Sequence, residues 1–183
     1  MTRDGFEHAV RAAGAVLGVD ELLVIGSQAI HASLDEPLPE EALRSIEVDV
    51  AVFGDEDGPQ ADLIDGSIGE ASMFHQTFGY YAQGVVERTA VLPKGWKDRL
   101  VRFESPGTNG VVALCLELHD LWLSKAIANR PKDIEFCLAL LVMGVVDPVE
   151  LRARLGLVAD LPDAGRRIVE ARISFPGRPS SKD

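Results

Sequence analysis

Phe6, Val10, Ala13 and Leu17 recur at the spacing of one helical face. The chain therefore opens on an amphipathic helix, and Gly18 is placed to end it. Leu22-Leu23-Val24-Ile25 is a wholly apolar run of strand length. Gly26-Ser27 follows, then a helical segment through Ala29, Ile30 and Ala32. Residues 34–44 are acidic and contain Pro37 and Pro39, which predicts a loop. From Ser45 to Phe53 the pattern alternates: Ile46, Val48, Val50 and Val52 against Glu47, Asp49 and Ala51. That period of two is the clearest strand signal in the chain.

After an acidic turn at 54–58, residues 60–70 predict a short helix around Leu63 and Ile64. The runs 85–92 and 99–103 read as two strands joined through Pro93-Lys94-Gly95 into a hairpin. Residues 111–114 read as a further short strand or a helix lead-in. The remainder is helical over about 117–129, 131–144, 147–156 and 163–173. Pro131 and Pro148 fall at helix first turns, which tolerate proline. A flexible tail is expected from Pro176. The layout is α/β (α+β): a mixed β-sheet with helices, then a helical C-terminal part.

Composition narrows the class. The chain has 183 residues, 46% hydrophobic and 26% charged, which fits one folded domain and excludes a disordered chain. The net charge is −11 and unevenly spread. Residues 1–109 carry 8 basic and 19 acidic groups, whereas residues 110–183 carry 10 of each. Such a balance argues against DNA as a partner, because phosphates need a basic footprint. It leaves room for a local basic cleft in the neutral half. Cys115 and Cys137 lie in apolar stretches and predict buried free thiols rather than a disulfide framework. The first residues hold no apolar run of the signal-peptide kind. The longest apolar run, Cys137 to Val146, is about half a membrane span. No membrane partner and a cytoplasmic location are expected.

Candidate chemistry begins with Glu47 and Asp49. Side chains two apart on a strand share a face, so these acids project together from a strand whose other face is apolar. Held side by side they repel unless a cation sits between them, and Mg²⁺ takes one or two carboxylates plus substrate phosphates. The alternative is a solvated polar face. Gly26-Ser27 lies between strand and helix, where glycine admits a ligand to the backbone and helix N–H groups attract phosphate. Ser27 is a phosphate ligand or an N-cap. Lys125 falls on the apolar face of its helix with Leu118, Leu121 and Trp122. There it snorkels, enters a buried ion pair or meets a phosphate. Asp133, just after Pro131, is a helix-capping acid or a partner of Lys125 and Arg130. Arg130 and Lys132 otherwise read as ordinary surface charges. Among the histidines, His31 could face the site and His8 reads as solvated. Tyr80 and Tyr81 with Phe74 and Phe78 line a nucleotide pocket or pack in the core.

In this order, strand–Gly26-Ser27–helix and then Ile46-Glu47-Val48-Asp49-Val50, the chain resembles the DNA polymerase β-like nucleotidyltransferase superfamily. The segment His119 to Asp133, with Lys125 and Lys132-Asp133, looks like that of its AbiEii-type branch, the toxins of type IV toxin–antitoxin systems. The resemblance covers about residues 20–156. It implies a nucleotidyltransferase core over 1–110, a helical subdomain over 111–175 and a tail over 176–183. It also implies transfer of a nucleoside monophosphate from a nucleoside triphosphate (NTP), aided by two Mg²⁺ ions. Carried across, Gly26 and Ser27 hold the triphosphate, Glu47 and Asp49 ligate Mg²⁺, and Lys125 contacts phosphate with Arg130 nearby. Asp133 holds Lys125 or assists the attacking group.

Three features depart from the superfamily pattern. The gap from Ser27 to Glu47 is longer, and the first acid is Glu rather than Asp. The third carboxylate is contested among Asp98, Glu87 and Glu104, with Asp98 preferred. The leading expectation is an Mg²⁺-dependent toxin acting on a tRNA 3′ end or a protein hydroxyl, neutralised by an antitoxin protein. Lys125, Arg130, Lys132, Arg152 and Arg154 are candidates for a local RNA patch. The alternative is a catalytically degenerate binding module of the same fold. A small-molecule nucleotidyltransferase would need a separate acidic pocket for a cationic acceptor.

Overall fold

The computed structural model describes residues 1–35 and 37–174. The expected flexible tail lies outside those residues. Helix α1 (Arg3–Leu17) is capped by the Thr2 hydroxyl, which accepts from Gly5 N–H, and ends at Gly18 with φ +67°. It leads into β1 (Glu21–Val24). Helix α2 (Glu40–Leu43) is a single turn inside the segment expected to be loop. Strand β2 (Glu47–Ala51) follows. Then come α3 (Pro59–Ile68), α4 (Met73–Phe78) and β3 (Tyr81–Gly84). Strands β4 (Val101–Phe103) and β5 (Val112–Cys115) complete the sheet. Helices α5 (Leu118–Ala128), α6 (Pro131–Met143), α7 (Pro148–Leu155) and α8 (Asp163–Ile173) follow, close to the expected spans.

The five strands form one mixed sheet in the order β3-β2-β1-β5-β4. Strand β1 pairs antiparallel with β2 and parallel with β5; β2 pairs parallel with β3, and β4 antiparallel with β5. The α/β (α+β) class is therefore borne out. The expected 85–92/99–103 hairpin is not. The strand before this stretch is β3, and it lies at the opposite sheet edge from β4. The apolar run 85–92 is broken by a 3₁₀ turn, Glu87–Thr89, in which Thr89 N–H donates to the Val86 carbonyl. The true hairpin-like neighbour of β4 is β5.

Alternation explains how β2 sits. Val48 and Val50 are fully packed, while Glu47 and Asp49 face the other way and are half-buried. Ile46 departs from the pattern and is exposed, since it precedes the sheet ladder. The core joins α1, the sheet and α5, with Phe6, Leu23, Leu116, Leu121 and Trp122 buried. Cys115 and Cys137 are buried free thiols, as expected. No helix among the described residues is long and apolar enough to cross a membrane.

The structure decides between the alternatives for His31 and corrects the expectation for His8. His31 is buried in the core, stacked on Phe6 with ring centroids 4.9 Å apart and Nε2 3.1 Å from Gln28 Oε1. It does not face the cleft. His8 is not solvated: its Nδ1 lies 2.8 Å from the Tyr80 hydroxyl, among Phe74 and Phe78. That cluster packs α4 against α1, so Phe74, Phe78 and Tyr80 serve packing rather than a nucleotide pocket.

Candidate active site

Strand β1 and β2 run side by side, and Ile25 N–H donates to the Asp49 carbonyl at 3.2 Å. This brings Gly26 directly against Asp49. A Cβ on Gly26 would stand 1.5 Å from Asp49 Oδ2, so only glycine fits. Gly26 also caps the 3₁₀ helix Ser27–Ala32, with no side-chain capping bond. Ser27 is thus the first residue of that turn and not its N-cap. Its position lines the cleft beside Glu47 and Lys125.

Glu47 has both oxygens engaged. Lys132 Nζ donates to Oε1 at 2.8 Å, and the Tyr81 hydroxyl donates to Oε2 at 3.1 Å. Burial alone would raise the Glu47 carboxyl. The hydrogen bonds from Lys132 and Tyr81 and the charges of Lys132 and Lys125 outweigh it and hold it below its usual value. Burial and the adjacent Glu47 carboxylate raise the Tyr81 hydroxyl to about 12. Asp49 is the contrast. Its carboxylate makes no hydrogen bond or ion pair among the described residues. Burial raises it above its usual value, Lys125 opposes that, and the charge of Glu47 adds to it.

The basic side of the cleft comes from the α5–α6 junction. Lys125 is 9% exposed, with Nζ 3.8 Å from Asp133 Oδ1. Asp133, itself buried, accepts from Arg130 Nε at 2.6 Å, Nη2 at 3.2 Å and backbone N–H at 3.3 Å. It is therefore both helix-capping acid and cation partner. Two adjoining pockets of about 210 and 240 Å³ share Lys125 as their wall. The first is lined by Ser27, Glu47, Lys132 and Asp133, and the second by Gly26, Asp49, Ser124 and Arg130. Gly26, Ser27, Glu47, Asp49, Lys125, Arg130 and Asp133 thus each line one or other of two pockets that meet at Lys125.

The third-carboxylate candidates do not join them. Asp98 is exposed in the 3₁₀ turn Trp96–Arg99 and lines a separate pocket with Lys94 and Leu157. Glu87 pairs with Lys97 at 2.5 Å, and Glu104 with Arg102 at 2.7 Å. The strand beside β2 places Tyr81 opposite Glu47 and Gln83 opposite Asp49, neither of them acidic. Arg154 also leaves the expected basic patch: it is held by Glu117, Asp120 and Glu150. Arg152 turns to the Pro148 carbonyl and Ser174.

Sequence reasoning places Lys132 among the candidates for a basic patch and Tyr81 in a nucleotide pocket or the core, and misses that both bind Glu47. Lys132 read as an ordinary surface charge, yet it is the direct partner of Glu47. A signal existed: a lysine in a helix first turn opposes the dipole and calls for a nearby anion. Tyr81 had none, because only the β2–β3 register aligns it with Glu47.

Among the described residues, no group of three or more His, Cys, Asp or Glu side chains is gathered to hold a metal. A half-buried carboxylate without a partner among the described residues, beside a second one, nevertheless suits a hard divalent cation. Mg²⁺ in particular completes its shell with water and phosphate oxygens rather than with an all-protein cage.

A mixed sheet presenting two carboxylates beside a glycine turn, faced by three cations, has the makings of a nucleotide-handling domain. The model of a family described as nucleotidyltransferases of unknown function (DUF6036) matches residues 8–164, and the chain belongs to that family. No curated protein and no solved structure matches it.

Proposed function

We propose that the chain is an Mg²⁺-dependent nucleotidyltransferase that moves a nucleoside monophosphate from an NTP to a hydroxyl acceptor. The single observation that carries this reading is the unpartnered Asp49 carboxylate, seated on Gly26 in a cleft walled by Lys125 and Arg130. Glu47 and Asp49 would hold the metal, which supplies charge neutralisation at the reacting phosphate. Gly26 and Ser27 offer backbone and hydroxyl to the triphosphate. Lys125 and Arg130 neutralise phosphate charge, and Asp133 positions both of these cations. A buried cation beside a developing negative charge acts more strongly than one in water.

The acceptor we propose is an RNA hydroxyl, the tRNA 3′ end, or a protein hydroxyl. The role we propose is the toxin of a toxin–antitoxin pair. Both rest on the likeness of segment 119–133 to AbiEii-type toxins. Lys125, Arg130 and Lys132 provide a local basic spot in a chain of net charge −11. The cytoplasmic location remains part of this reading.

Calorimetric titration of the four NTPs with Mg²⁺, on wild type and Asp49→Asn, tests it. Metal-dependent binding that the variant loses is the expected result. No binding by wild type overturns it. Transfer of labelled monophosphate to tRNA, abolished by oxidising the tRNA 3′ end, tests the acceptor. The rival reading, a degenerate binding module, is favoured by one observation: none of Asp98, Glu87 and Glu104 lies in the cleft.

A further inference from the structure

Glu47 and Asp49 leave the same strand face, yet they are treated oppositely. Among the described residues Asp49 has no partner, and Glu47 has two. The two partners of Glu47 also differ in kind. Tyr81 is buried on β3, and strand register fixes it opposite Glu47. Lys132 stands on the first turn of α6 with its side chain 59% exposed, and Glu47 is its one ion-pair partner among the described residues. The N-terminal end of a helix disfavours a cation, so nothing in α6 itself retains the Lys132 ammonium. Exposed lysine–carboxylate pairs are also weak, because water competes and the side chain loses freedom.

We infer that Lys132 is a displaceable counter-ion of Glu47 that couples metal binding to triphosphate binding. The inference rests on the metal–nucleotide reading above. In the free protein the ammonium holds Glu47 Oε1 and the Tyr81 hydroxyl holds Oε2, so a cation taken by Glu47 competes with a partner already in place. A divalent cation arriving alone has to evict the ammonium and leaves it unpaired at the cleft wall. A cation arriving with a triphosphate does not, because the freed ammonium joins Lys125 and Arg130 in facing phosphate oxygens. Lys132 therefore opposes the metal by itself and favours the metal with nucleotide. This makes it a positioning residue that guards against futile metal loading.

The two effects have opposite signs, and a lysine remote from the cleft would produce neither. Removing the competitor, Lys132→Gln, is expected to tighten Mn²⁺ binding in the absence of nucleotide by about 3- to 10-fold, read by electron paramagnetic resonance. The same variant is expected to weaken NTP binding at saturating Mg²⁺ by about 5- to 10-fold, read by calorimetry. Lys132→Arg should restore nucleotide binding in part. Arg102→Gln, a surface ion-pair variant outside the cleft, is the control and should change neither. If wild type binds Mn²⁺ and nucleotide but Lys132→Gln does not move the two in opposite directions, the counter-ion role is overturned and the transferase reading stands. If wild type binds neither, both fall together.

Discussion

Gly26 lies so close to Asp49 that a Cβ at position 26 would stand 1.5 Å from Oδ2 and 2.5 Å from Cγ. The glycine of the strand–turn junction is thus demanded by the carboxylate, independently of any ligand. Gly26→Ala is expected to cost about 1–3 kcal/mol of stability, the range for overpacking a filled site. Shortening Asp49 to Ala in the same chain should recover part of that loss, since the Asp49 Cβ that alanine keeps would still stand 2.8 Å from the new Cβ. Denaturation of the four members of this cycle measures the coupling, and additive losses would remove the steric explanation.

Asp49→Asn should make the ligand-free protein more stable. Burial raises the Asp49 carboxyl, so the folded chain holds its proton to higher pH than the unfolded chain does. The folded state therefore loses stability as pH rises from the ordinary value of 3.8 through the raised one, and the penalty is full above the raised value. A neutral amide removes it, for a gain of about 0.5–2 kcal/mol. Urea melts at pH 7 should show the gain, and melts near pH 4 a smaller one. A variant less stable than wild type at pH 7 would contradict this account.

His31 predicts an acid-side loss of stability. Burial, with the charges of Arg3 and the N-terminal ammonium, lowers its imidazole from 6.5 to about 4. Below pH 6.5 the unfolded chain takes up a proton that the folded ring refuses. Stability is thus full above that pH and falls as pH drops towards 4. The full effect is up to about 3 kcal/mol. His31→Phe should flatten the melting temperature against pH in this window. Some slope will remain, because burial and Arg11 lower His8 as well.

Arg154 is expected to matter for folding and not for RNA. Asp120 is fully buried and accepts from Arg154 at 3.0 Å and from Arg99 Nε at 2.8 Å. The same guanidinium neutralises Glu117, whose carboxyl is held at about 2 despite its burial, with His119 contributing first among the opposing groups. Among the described residues Arg154→Ala leaves Glu117 with His119 and Asp120 with Arg99, and should cost about 3 kcal/mol. Nucleotide affinity of the folded fraction should be unchanged. A drop in affinity at unchanged stability would return Arg154 to the binding patch.

Much of the fold was legible from local pattern. The alternation at 46–52 carries β2, and the apolar run at 22–25 carries β1, because each strand buries one face or both. The C-terminal helices showed themselves through their periodicity and through proline at their first turns. Strand β3 was missed: Tyr-Ala-Gln-Gly is short, sits at a sheet edge and exposes Gln83. The run at 85–92 misled because apolar composition says nothing about a 3₁₀ turn at Glu87–Thr89.

The candidate site divides in the same way. The sequence by itself determined the ingredients: a strand that aims Glu47 and Asp49 to one side, a glycine turn after β1, and a lysine on an apolar helix face. Each follows from spacing along one element, where periodicity settles direction. Only the tertiary structure decided how they meet. Pairing of β1 with β2 put Gly26 against Asp49, and β2–β3 register put Tyr81 on Glu47. Packing of α5 against the 3₁₀ segment Ser27–Ala32, and of α6 against α2, brought Lys132 to Glu47 and left Asp49 without a partner among the described residues. Such contacts join elements far apart in the chain, and they form because burying the apolar faces fixes the elements' relative positions. No local pattern in the sequence records that outcome.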